Sequence, residues 1–113
     1  MIRDQILQFD DLPRGEVAVP EWGGVTVTVR TLCGRELWDF QRRFAGKPVD
    51  ISEVITGIVV AACCDGEGKP IFSATDAEAL QAKNPAALSR VANRAFELNP
   101  ALTADGVSRA EKN

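Results

Sequence analysis

Glu16-Val17-Ala18-Val19-Pro20-Glu21-Trp22-Gly23-Gly24-Val25-Thr26-Val27-Thr28-Val29-Arg30 is the stretch on which the fold turns. Val17 and Val19 alternate with Ala18 and Pro20, and Val25, Val27 and Val29 alternate with Thr26, Thr28 and Arg30. Alternation of β-branched residues at a period of two is the pattern of a half-buried strand. Two strands are therefore expected, Glu16 to Pro20 and Gly24 to Arg30, with valines toward a core and threonines toward water. The link Glu21-Trp22-Gly23-Gly24 carries two residues able to take positive φ, as a hairpin loop requires.

Outward from the hairpin the period changes. Upstream, residues 1 to 15 read as a short amphipathic or extended lead-in, closed by Pro13 and Gly15. Downstream, Leu32 to Phe44 places Leu37, Phe40, Gln41 and Phe44 on one helical face, and Cys33 with Glu36 three residues on resembles a capping box. Gly46-Lys47-Pro48 breaks that helix. Asp50 to Cys64 is the strongest helix, with Asp50 as cap and Ile51, Val54, Ile55, Ile58, Val59 and Ala62 in a broad stripe. Gly57, Val60 and Ala61 leave it almost no polar face, which predicts a central, buried helix. Asp65 to Pro70 is a turn by composition, and Ile71-Phe72 a short extended piece. Ser73 can cap a helix over Ala74 to Ala82 with Asp76 at its third position. Asn84 caps a last helix that begins at Pro85 and presents Ala87, Leu88, Val91, Ala95, Phe96 and Leu98, until Asn99-Pro100 stops it. Hairpin first and about four helices after it make a mainly helical α+β chain, a small antiparallel hairpin against a helical layer. Residues 1–100 form one domain and 101–113 a polar, flexible tail.

Composition narrows the function. The 113 residues, 45% hydrophobic and 26% charged, are those of one ordinary globular domain rather than of a disordered chain. A net charge of −3 with scattered cations gives no electrostatic drive toward nucleic acid. No apolar run reaches the length of a membrane span, and the first residues lack a signal core, so the chain is expected to stay in the cytosol. Histidine and tyrosine are absent. Cys33, Cys63 and Cys64 are odd in number, which suits free thiols in a reducing compartment and leaves a zinc site short of ligands. Cysteine catalysis lacks its usual histidine base. Gly66-Glu67-Gly68-Lys69-Pro70 has Pro70 where a phosphate-binding loop needs Ser or Thr, and Asp65-Gly66-Glu67 lacks the later ligands of a calcium loop. No catalytic, cofactor or metal residue is expected, and the reading is of a protein that acts by binding another protein.

The candidates for that contact are aromatic and apolar. Trp22 at the hairpin tip either folds onto the core or anchors a partner, since Trp is enriched at binding hot spots. Trp38 has the same two readings at the edge of its helix. Val60 belongs to the second face of the Asp50–Cys64 helix, and Leu88, Val91 and Phe96 to the face of the last helix; each serves either the core or a groove for an amphipathic helix.

Val17-Ala18-Val19-Pro20-Glu21-Trp22-Gly23-Gly24 resembles the signature of tail assembly chaperones from long-tailed bacteriophages. Val29-Arg30-Thr31-Leu32, Gly34-Arg35-Glu36, the apolar helix ending at Cys64-Asp65, Gly68-Lys69-Pro70-Ile71-Phe72, Leu98-Asn99-Pro100 and Glu111-Lys112-Asn113 follow in order. Cys33, where a capping Ser or Thr is common, and Pro100, where Gly often follows Asn, depart from the pattern at helix ends. The resemblance implies a non-enzymatic factor that binds the tape measure protein, keeps it soluble and helps recruit tail tube subunits. It also implies frequent self-association, so a homo-oligomer, together with action in the host bacterial cytoplasm and absence from the finished virion. Glu111-Lys112-Asn113 is encodable as a slippery heptamer, so a minor product extended by a −1 frameshift is expected to carry the link to the tail tube (major tail) protein. The competing readings are a small tail-completion or head-tail connector protein of the virion, and a small thiol enzyme.

Overall fold

In the computed structural model, which describes residues 1–46, 48 and 50–102, the hairpin forms where the alternation places it. β1 (Arg14–Val19) and β2 (Val25–Arg30) pair antiparallel, with Val17 opposite Val27 and Val19 opposite Val25. Pro20–Trp22 makes a 3-10 turn between them. Gly23 at φ 73° and Gly24 at φ 80° then turn the chain through the left-handed region, and Gly24 N–H donates to the Val19 carbonyl at 3.1 Å. This is a conformation that a side chain disfavours. Val19, Val27 and Val29 are buried as expected, whereas Val25 is 53% exposed because it lies at the loop end, beyond the helices that cover the rest of the face. The lead-in is both things the sequence allowed: helix α1 (Ile2–Gln8), then extended chain into β1.

Among the described residues the helices α2 (Gly34–Phe44), α3 (Ile51–Ala62), α4 (Ala77–Gln81) and α5 (Pro85–Leu98) follow. Their starts are chemical. Cys33 and Glu36 form the capping box, Glu36 accepting from Cys33 N–H at 3.1 Å. Asp50 accepts from Ser52 N–H at 3.0 Å and Asn84 from Ala86 N–H at 2.8 Å. Each such cap is worth about 1 kcal/mol to its helix. Ser73 and Asp76 cap a 3-10 turn, Ala74–Asp76, which leads into α4.

The helix expected to run to Cys64 stops at Ala62. Cys63 and Cys64 form a third strand, β3, antiparallel to β2 through Thr28↔Cys64 and Val29↔Cys63. Without it β2 would present an unpaired edge over the core, and an apolar run does not itself distinguish a helix end from a short buried strand. The turn beyond fixes the choice: Asp65 N–H donates to the Lys69 carbonyl at 2.9 Å, and Ile71 N–H to the Cys63 carbonyl at 3.3 Å. The Cys63 thiol is buried, as foreseen, but on a strand; burial, with the neighbouring Cys64, pushes its pKa up to about 12.

The core lies between the sheet, α3 and α5, with Val19, Val29, Ile58, Val59 and Val91 fully enclosed. Gly57 is where α2 crosses α3: a Cβ there would lie 3.0 Å from the Phe40 ring. Two polar clamps tie the layers. Arg30 grips Glu36 through two hydrogen bonds of 2.7 and 2.6 Å and donates to the Ala61 carbonyl at 2.8 Å. The bond from Arg30 holds the Glu36 carboxyl down to about 2. Asn99, 4% exposed, accepts from Leu32 N–H at 2.8 Å and donates to the carbonyls of Ala95 at 2.8 Å and Arg30 at 3.3 Å. Packing extends past the expected boundary at residue 100, since Leu102 is buried in the core. The remainder of the expected flexible tail, with its frameshift site, lies outside the described residues.

Candidate partner-binding groove

The N-terminal half of α3 emerges from the core on one side, and α4 packs beside it. Between them runs an open groove of about 340 Å³. Its lining is small because its residues are: Gly57, Thr56 and Val60 from α3, Ala77 from α4 and Ala74 from the preceding turn. Thr56 turns its hydroxyl back to the Ser52 carbonyl at 2.7 Å, so it presents its methyl group and not an unpaired polar atom. Arg43, Glu53 and Gln81 stand on the rim, exposed. Short side chains on the floor and a rim of both charges suit a ridge of side chains from an amphipathic helix.

The six residues expected at a contact are distributed. Val60 alone among them lines this groove, half-buried. Trp38 is 63% exposed on α2, its ring lying back over Gly34. Trp22 is half-buried and folded against the core, its indole Nε1 enclosed without a hydrogen-bond partner. Leu88 and Val91 are buried within the core, and Phe96 packs against it half-buried. The hairpin tip is held to α5 by Arg90, whose Nε lies 3.0 Å from Glu21 Oε1 and whose hydrogen bond lowers the Glu21 pKa.

The rest of the groove escaped sequence reasoning. Ala74 and Ala77 carry no chemical signal, and Arg43 and Glu53 sit on separate elements joined only by the fold. Gly57 was the available clue, a glycine inside a strong helix, which marks close approach or a packing need. Among the described residues no group of three His, Cys, Asp or Glu side chains is placed to hold a metal ion. No described helix is long and apolar enough to cross a membrane.

Over residues 6–113 the chain matches the protein family described as phage tail assembly chaperone. The chain belongs to that family. The fold agrees: the tail assembly chaperone of bacteriophage HK97 superposes with a TM-score of 0.57 at 22% identity, covering 86% of this chain and 92% of that one. No curated protein matches. Membership in this family implies tail proteins as partners.

Proposed function

We propose that this tail assembly chaperone binds the tape measure protein, keeps it soluble and helps recruit tail tube subunits around it, without catalysing a reaction. The observation that carries the reading is the α3–α4 groove, a channel floored by short side chains and rimmed by charged and polar ones, left open beside a filled core. A long helical polypeptide with apolar stripes aggregates until something covers them. In this reading the stripe rests on Gly57, Val60, Ala74 and Ala77, with Arg43 and Glu53 setting its register, and exposed Trp38 extends the contact along α2. A frameshift-extended form of the chain carries the link to the tail tube protein. The protein acts in the host cytoplasm and leaves before the virion is complete.

Co-expression with the tape measure protein of the same phage tests this. The expected result is a tape measure protein that is insoluble alone and soluble, and co-purified, with the chaperone present. A tape measure protein that stays insoluble, with the 113-residue chain found instead in purified particles, would favour a structural tail component.

A further inference from the structure

β1 is an outer strand of the sheet, whose order is β1-β2-β3. The Thr31 N–H donates to the Pro13 carbonyl at 3.1 Å, and this fixes the phase of the ladder. Gly15, Val17 and Val19 bond to β2, so the N–H and C=O groups of Arg14, Glu16 and Ala18 point away from it. Among the described residues no hydrogen bond reaches these outward backbone groups, and all three residues are exposed. Native sheets protect such an edge with charges, bulges or a covering segment. Here the pairing runs without a bulge from Arg14 to Val19. The Arg14 guanidinium reaches across the sheet to the Gly66 carbonyl at 2.8 Å, in the turn after β3, and so leads its charge away from the edge.

We infer that β1 takes up an extended segment of the tape measure protein as a fourth strand, an inference that rests on the proposed function above. In strand addition the main chain supplies affinity and alternate side chains supply specificity. An antiparallel occupant continues the direction of every pairing in this sheet. Its side chains are dictated by those of β1, because directly opposed residues on one face interact. Val17, half-buried against the core, is matched by a β-branched residue. Glu16 is in no ion pair among the described residues and is matched by Lys or Arg. At Gly15 the occupant meets Arg94, which lies flat on β1 because a Cβ at Gly15 would strike its guanidinium. An acidic residue fits there. In chain order the segment therefore reads apolar, basic, acidic. Pro13 and Pro20 bracket the edge and confine the match to a short stretch. The edge and the groove divide the work: the groove takes a helix, and the edge caps segments that are still extended and would otherwise pair with one another.

Co-expression of the full chain with the tape measure protein tests the edge through Glu16→Pro. The Glu16 N–H points outward, so proline removes a docking donor and sets its ring at the edge without taking a bond from the β1–β2 ladder. The expected result is a melting temperature close to that of the wild type and capture lower by about tenfold or more. Glu16→Lys keeps the N–H and reverses the charge, and is expected to lower capture as well; it decides the matter if the proline variant does not fold. Amide hydrogen exchange, read residue by residue, is expected to slow by about tenfold or more at Arg14, Glu16 and Ala18 when the complex forms. Undiminished capture by folded Glu16→Pro or by Glu16→Lys, or unchanged exchange at those three amides, would overturn the proposal. Capture lost in Ala74→Arg but kept in Glu16→Pro would remove the edge and leave the groove standing. Three amides already slow in the chaperone alone would mean that another copy of the chain holds the edge, and the proposal would fall. A wild type that captures no tape measure protein would fail the proposed function itself, and this inference with it.

Discussion

Replacing Asn99 by alanine is expected to be among the most damaging single truncations outside the apolar core. Asn99 is buried and its side chain makes three hydrogen bonds, joining the end of α5 to the end of β2 and the entry to α2. Truncation leaves the Leu32 N–H enclosed without an acceptor, at a cost of about 1–3 kcal/mol. Loss of the two donated bonds adds roughly 1 kcal/mol, the bond to Arg30 being long at 3.3 Å. The sum, about 2–4 kcal/mol, is a large share of the 5–15 kcal/mol that stabilises an ordinary domain. It corresponds to a melting temperature lower by roughly 10–20 °C. Urea titration followed by the fluorescence of Trp22 and Trp38 measures it, with an unchanged slope confirming that the unfolded state is the same. Asn99→Asp sharpens the test. It keeps an acceptor for Leu32 but turns a carboxylate toward two carbonyls, so it is expected to be unstable at neutral pH and to recover as the carboxyl protonates. A loss below about 0.5 kcal/mol for Asn99→Ala, the level of an ordinary surface change, would refute the reasoning.

Other expectations follow from named contacts. The Glu36 carboxyl is held down to about 2 in the folded chain against 4.5 unperturbed, so its contribution is complete above pH 4.5 and is lost as pH falls toward 2. Glu36→Gln is expected to flatten the acid limb of the stability profile over that window, measured by urea midpoints at successive pH values. Gly57→Val drives a side chain against the Phe40 ring and is expected to destabilise by about 1–3 kcal/mol, despite replacing a helical glycine, as read by thermal melting. Among the thiols, half-buried Cys33 is expected to react with a thiol reagent in the native protein, with buried Cys63 and Cys64 reacting only on unfolding. Protection of Cys33 or ready labelling of Cys63 would contradict that order.

The legible parts of this fold are those in which one local rule suffices. The valine alternation and the Gly23-Gly24 pair determine the hairpin, and Asp50, Ser73 and Asn84 mark helix starts through hydrogen bonds spanning a few residues. Cys63-Cys64 was misread because its strand is set by a partner more than thirty residues earlier in the chain, β2, and nothing within the dipeptide records that pairing. Asn99 was read as a stop signal, which it is locally. Its larger role, closing onto Leu32, depends on a contact across 67 positions. The groove was the least visible feature. Its floor is defined by what Gly57, Ala74 and Ala77 lack, and small side chains signal a cavity only once the neighbouring elements are placed. Leu88 and Val91 show the converse, since an apolar helical face looks the same whether the core or a partner covers it.

The most direct test of the account compares the wild type with Ala74→Arg in co-expression with the tape measure protein, reading the amount of tape measure protein co-purified per chaperone. Ala74 is exposed at the groove, so arginine there fills the channel without entering the core. The expected result is an unchanged melting temperature and a loss of co-purification of about tenfold or more, as for blocking a central contact. Undiminished capture by a stably folded Ala74→Arg variant would contradict the assignment of this groove to the partner.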